Sequence, residues 1–185
     1  MQMLTDEELI VGCNNGNERY KTQLYYRYSP SLFGVALRYT RNEADAQDVL
    51  QDAFIKIFDS LEQYKGIGTL KAWLTRIVIN KALQYYKKQK RQQDVVDSYE
   101  DNPYQIEDES INYSDKLSQQ VLLNFIQSLS DGYRMVFNLC EIEGYSYDEV
   151  AAMLQCSNSN CRSQLFKAKR ILKQKVNDFL KKEVL

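Results

Sequence analysis

The sequence predicts an all-α protein: two small helical domains joined by an acidic flexible linker, the second containing a helix-turn-helix. Three observations predict it. Only 7 Gly and 2 Pro occur among 185 residues, too few turn-formers for a strand-rich fold. Apolar residues recur at helical spacing through most of the chain. Charge falls in blocks that separate two halves.

Lys+Arg number 24 against Asp+Glu 25, for a net charge of −1. Taken as an average, that balance argues against a nucleic-acid binder. Along the chain it is a cancellation. Lys71, Arg76, Lys81, Lys87, Lys88, Lys90 and Arg91 make a run of seven positive charges with no negative one. Asp94 to Asp115 holds eight negative charges and no positive one, and Arg162 to Lys182 holds eight positive charges against the lone Asp178. The expected domains are therefore 1–91 and 118–185, with a linker over 92–117. That linker carries Pro103 and no helical apolar period. It reads equally as a solvated tether or as a segment that competes with DNA for the basic faces.

Thr5 and Glu8 form a capping box that opens a short helix. Leu24, Tyr25, Tyr28, Leu32, Phe33, Ala36, Leu37 and Tyr39 follow, predicting helices broken near Pro30. Asn42 is an N-cap for a regular helix with Ala46, Val49, Leu50, Ala53, Phe54, Ile57, Phe58 and Leu61 inward. Its outer face carries Asp45, Asp48, Gln51, Asp52 and Asp59, either a solvated face or a dock for a basic partner. A turn over Tyr64–Gly68 leads through Thr69, a possible cap, to a helix with Leu70, Trp73, Leu74, Ile77, Val78 and Leu83 as its stripe. The stripe places Trp73 in the core. Asn80, Lys81, Gln84, Tyr85, Tyr86, Lys87 and Lys88 crowd its later turns, a mix of cations and aromatics that suits nucleic acid. Adjacent helical positions point about 100° apart, so at least one of Tyr85 and Tyr86 is expected on the surface.

In the second half, Leu117, Val121, Leu122, Phe125, Ile126 and Leu129 set one helix. Ser130 is expected to cap another with Met135, Val136, Phe137, Leu139 and Cys140, ended by Gly144. Ser146 and Glu149 form a second capping box for a short helix with Val150, Ala151 and Leu154. A turn at Gln155-Cys156-Ser157 leads into a longer helix with Cys161, Leu165, Ala168, Ile171 and Leu172 inward. Short helix, tight turn and longer basic helix make a helix-turn-helix. Ser159, Asn160, Arg162 and Ser163 would meet base edges, and Lys167, Lys169, Arg170 and Lys173 phosphates.

No catalytic residue, metal site or cofactor is expected. The chain lacks histidine, a nucleophile–base pair and a Gly-rich phosphate loop. Cys13, Cys140, Cys156 and Cys161 form no C-x-x-C pair and read as small buried hydrophobes. No stretch reaches ~18 apolar residues, and the N-terminus lacks a signal pattern, so a cytoplasmic protein without membrane insertion is expected.

Both halves together resemble the bacterial RNA polymerase sigma factors of the sigma-70 family, in the compact extracytoplasmic-function (ECF) group. Asn42 to Phe54 resembles the family's polymerase-clamp-binding helix, Leu70 to Asn80 its promoter −10 helix, and Leu129 to Ala151 its −35-reading domain. The likeness covers residues 17–91 and 118–182. It implies core RNA polymerase and promoter DNA as partners. It also allows for an anti-sigma factor, which no residue identifies.

The resemblance implies that Asp45, Asp48, Gln51 and Asp52 hold the clamp helices, with Phe137 near the flap. It implies a −10 surface of Tyr64, Lys65, Gly66, Thr69, Trp73, Arg76, Asn80, Lys81, Gln84, Lys87 and Lys88, in which Asn80 and the Tyr64–Thr69 loop capture a flipped base. Extrusion of a base costs a few kcal/mol, which such a pocket offsets. The −35 set is Ser159, Asn160, Arg162, Ser163, Lys167 and Arg170. Three positions depart from the family: Gln155 stands where a turn Gly is frequent, Gln164 where Arg is usual, and Cys161 where a branched apolar residue is usual. Gln164 bears on the −35 base preference. The alternative is a stand-alone helix-turn-helix regulator that binds duplex DNA without polymerase, which has no use for the acidic face. An all-helical interaction protein that binds no nucleic acid would leave both basic blocks without purpose.

Overall fold

The computed structural model describes residues 4–96 and 118–182. The acidic stretch 97–117, with Pro103 and Leu117, lies outside the described residues. Those described are helical, turn or loop with no strand, an all-α fold in two units, Met1–Tyr85 and Tyr86–Leu185.

In the first unit, α1 (Asp6–Asn14) begins at the expected capping box. The Glu8 N–H donates to Thr5 Oγ1 at 3.2 Å, and the Thr5 N–H donates to Glu8 Oε2 at 2.7 Å. α1 docks on α2 (Glu18–Tyr39) by burying Leu9 and Cys13. Gly12 faces the Tyr20 ring so closely that a Cβ would lie 2.1 Å from it, so only glycine fits. Asp6 Oδ1 accepts from the Tyr28 hydroxyl at 2.6 Å and pairs with Arg27 at 3.1 Å. Burial, helped by that carboxylate, pushes the Tyr28 hydroxyl up to about 12.

The expected break near Pro30 does not occur. α2 is continuous through it, with Pro30 on the exposed side. Proline removes one backbone donor. Burial of Leu24, Tyr28, Leu32, Val35, Ala36 and Tyr39 on both sides of it outweighs that local loss.

α3 (Glu43–Ser60) starts where Asn42 Oδ1 accepts from the Asp45 N–H at 2.8 Å. It packs on α2 through the expected inward residues; all are buried except the half-buried Phe58. A 3-10 turn (Leu61–Gln63) follows. Then comes α4 (Leu70–Val96), whose Ala72 N–H donates to Thr69 Oγ1 at 3.2 Å. Leu70, Leu74, Val78, Ile79, Ala82 and Leu83 are buried. Trp73 is half-buried rather than core, with its ring beside that of the equally half-buried Tyr64. The helix also runs through residues 92–96, which the charge pattern assigns to the linker.

In the second unit, α5 (Gln119–Gln127) is capped by Ser118. Of its expected stripe, Val121 is buried and Leu122 is exposed. α6 (Asp131–Phe137) starts after Ser130, but that serine makes no side-chain cap bond, contrary to expectation. The first turn is instead tied by buried Arg134, which donates to the carbonyls of Gln127 at 3.1 Å and Leu129 at 3.0 Å and pairs with Asp131. α6 passes into a π-helical turn (Asn138–Ile142), closed by Gly144 at φ +77°. The wider turn follows a buried Asn138 whose amide donates to the Arg134 carbonyl at 2.9 Å.

The Ser146–Glu149 capping box forms as expected and opens α7 (Tyr147–Leu154). α8 (Asn158–Lys182) packs against α5, α6 and α7, with Cys161, Leu165 and Ala168 fully or nearly fully buried. Between α7 and α8, Gln155 takes the left-handed conformation, φ 56° and ψ 45°. It thus adopts the geometry a glycine would supply and carries the strain of its Cβ. Gln155→Gly should stabilise this unit by about 1 kcal/mol, read as a higher urea midpoint.

Candidate functional site

Three surfaces carry the candidate residues. On α3, Asp48, Gln51, Asp52 and Asp59 are exposed. Asp45 differs: its Oδ1 accepts from the Tyr85 hydroxyl at 2.7 Å and its Oδ2 from the Asn42 amide at 3.2 Å. It is half-buried and ties the start of α3 to α4. Tyr85 and Tyr86 are both half-buried, so each reaches the surface in part. Beside the acidic row, α2 and α3 bound a groove of about 750 Å³, lined by Tyr25, Pro30, Phe33, Leu50, Phe54 and Phe58 together with Gln47 and Gln51. Ile55, 55% exposed, also lines it. Sequence reasoning missed this groove, although an isoleucine on an otherwise polar helix face was a visible signal.

On the second surface, the Tyr64 hydroxyl donates to the Gly68 carbonyl at 2.8 Å, which closes the loop before α4. The Tyr64 and Trp73 rings lie 5.6 Å apart, and the loop leaves Lys65, Gly66 and Thr69 exposed. Ile67, not singled out from the sequence, is 84% exposed at the loop's tip. Along α4, Arg76, Asn80, Gln84 and Lys88 are all exposed, and their four-residue spacing puts them on one face. Lys81 and Lys87 are half-buried.

On the third surface, Ser159, Asn160, Arg162, Ser163, Lys167 and Arg170 are all exposed on α8. Asn158 donates to Asp148 at 2.6 Å, and the Arg162 guanidinium lies 5.2 Å from the centre of the Tyr147 ring. Both contacts set α8 against α7 and orient its first turns. Gln164 is half-buried, with its amide donating to Asn160 Oδ1 at 2.9 Å and its side chain against Gly132. It therefore orients Asn160. Lys169, expected at a phosphate, is paired with Glu141 at 2.8 Å. Phe166, missed in the sequence, is 68% exposed between the basic residues. Phe137 is half-buried at the end of α6. Among the described residues, no helix is long and apolar enough to cross a membrane.

Residues 24–92 match the family model described as Sigma-70 region 2, and residues 119–172 match Sigma-70, region 4. The chain is 29% identical to the ECF RNA polymerase sigma-E factor of Escherichia coli (strain K12), over 98% of this chain and 99% of that one. The protein of that name from Haemophilus influenzae is 27% identical, over 97% and 99%. Among solved structures, the sigma factor RpoE of Bartonella quintana, in complex with the anti-sigma factor NepR, is similar with a TM-score of 0.53 and 24% identity. That likeness covers 84% of this chain and 96% of that one.

Proposed function

We infer the workings of this chain from its membership of the sigma-70 family: it is an RNA polymerase sigma factor of the ECF group. It binds core polymerase, directs it to promoters and performs no chemistry of its own. Asp48, Gln51 and Asp52 contact the clamp helices of core polymerase, with the neighbouring α2–α3 groove taking an apolar side chain of that partner. Asp45 acts by bracing α3. Tyr64, Lys65, Gly66, Thr69 and Trp73, with Arg76, Asn80, Lys81, Gln84, Lys87 and Lys88 along α4, form the −10 surface. Ser159, Asn160, Arg162, Ser163, Lys167 and Arg170 form the −35 surface, and Phe137 lies on the flap side of α6. The chain works in the cytoplasm, and an anti-sigma factor is the third partner class.

The observation that carries this reading is the exposed acidic row beside an apolar groove in the same unit as the exposed Asn80 face. A regulator that binds duplex DNA alone needs no such row. In vitro transcription with core polymerase on a promoter library tests it. Promoter-dependent transcripts are expected. Their absence, with duplex DNA retarded by the protein alone, would favour the regulator. Asn80→Ala should lower promoter opening roughly tenfold, the loss of one base contact worth about 1–3 kcal/mol, with closed-complex binding retained. Permanganate reactivity of the −10 thymines measures this, and unchanged opening would sink the base-capture role.

A further inference from the structure

Two of the four cysteines do not behave as isolated hydrophobes. The Sγ atoms of Cys156 and Cys161 lie 3.3 Å apart, and neither is in a disulfide. Cys156 sits half-exposed in the turn between α7 and α8, directly after the left-handed Gln155. Cys161 is fully buried in the first turns of α8. One thiol is therefore open to a small solute, and a second waits beside it, shielded from that solute. That is the arrangement of a reacting and a resolving thiol.

We propose that Cys156 and Cys161 are a peroxide-responsive thiol pair whose disulfide weakens −35 recognition. The regulatory half rests on the reading that the start of α8 meets −35 DNA. The oxidant is hydrogen peroxide. The Cys156 thiolate attacks one peroxide oxygen, the O–O bond breaks, and the leaving hydroxide takes up the thiol's proton and departs as water, which leaves Cys156 as a sulfenic acid. The Cys161 sulfur then attacks the Cys156 sulfur. The S–O bond breaks, and hydroxide leaves with the Cys161 proton as a second water. Two thiols have lost two electrons and two protons to one peroxide.

Burial, and after it the hydrogen bond with Cys156, push the Cys161 thiol up to about 12. It therefore meets peroxide as a thiol and is spared direct oxidation, and it gives up its proton only as hydroxide leaves the Cys156 sulfenic acid. A disulfide holds its sulfurs at ~2.05 Å, so bond formation draws this pair together from 3.3 Å. The movement falls between Gln155, already strained, and Ser159, Asn160 and Arg162. Those residues move with the start of α8.

The test uses the full chain, reduced, treated with hydrogen peroxide, quenched with catalase and then assembled with core polymerase. Intact mass should fall by two hydrogen atoms, with peptide mapping to a Cys156–Cys161 link. Transcription from a −35-dependent promoter should fall roughly tenfold, about 1.4 kcal/mol, and return with dithiothreitol. Cys156→Ser, a change at a half-exposed turn position, should show neither effect. In Cys161→Ala, dimedone should trap a sulfenic acid on Cys156. A link through Cys13 or Cys140, no link at all, or a link that leaves transcription unchanged would overturn the proposal. If reduced Arg162→Ala still discriminates −35 sequences, the −35 reading of α8 falls, while the mass measurement separately decides the thiol pair.

Discussion

Arg134→Ala should destabilise the second unit by about 3–5 kcal/mol, the cost of stranding the partners of a buried charge. Arg134 is 3% exposed. It satisfies the carbonyls of Gln127 and Leu129, where α5 gives way to α6, and neutralises Asp131. Alanine would remove the Arg134 donor from all three and leave unfilled the space of a long buried side chain. A domain of this size has only ~5–15 kcal/mol of net stability, so promoter recognition through α8 should fail at physiological temperature. Hydrogen exchange would show lost protection in α6 and α8, with α1–α3 unaffected. Unchanged protection in α6 would mean water satisfies those carbonyls.

The second large effect concerns binding. Asp48→Arg combined with Asp52→Arg should weaken core-polymerase association roughly a hundredfold, about 2.7 kcal/mol, because each reversal turns an attraction into a repulsion. Both residues are exposed. Folding should change by less than about 1 kcal/mol, the scale of substitutions at exposed positions. Fluorescence anisotropy of labelled protein with core polymerase, beside far-UV circular dichroism, checks both parts. Lost helicity would assign the acidic row to stability. Asp45→Asn belongs to a different class, since Asp45 accepts from Tyr85 and Asn42 and its loss acts through the packing of α3 on α4.

Features that depend on residues three or four apart were legible in the sequence. The Thr5–Glu8 and Ser146–Glu149 boxes, the Asn42 and Thr69 caps and, but for the half-buried Phe58, the inward stripe of α3 all form as read. Features that depend on distant partners were not. Pro30 looked like a break, yet residues of α1 and α3 hold α2 continuous across it. Ser130 looked like a cap, but Arg134 ties that turn instead. Asp45 looked free until the hydroxyl of Tyr85, forty residues away, reached it, and the Lys169–Glu141 ion pair likewise joins two helices that spacing does not relate. Gln155, a departure from the turn glycine, takes the glycine's conformation regardless.

The sequence by itself determined the all-α class, the helix starts, the block division of charge and the family likeness, because periodicity, capping and motif order are local properties of a chain. Tertiary structure alone decided which charged side chains find a neighbour within the chain. It set Asp45 against Tyr85 and Lys169 against Glu141, brought Cys156 to Cys161, and shaped the groove between α2 and α3. Each of those outcomes depends on side chains brought within a few ångströms by packing between helices, a distance that spacing along one helix does not encode.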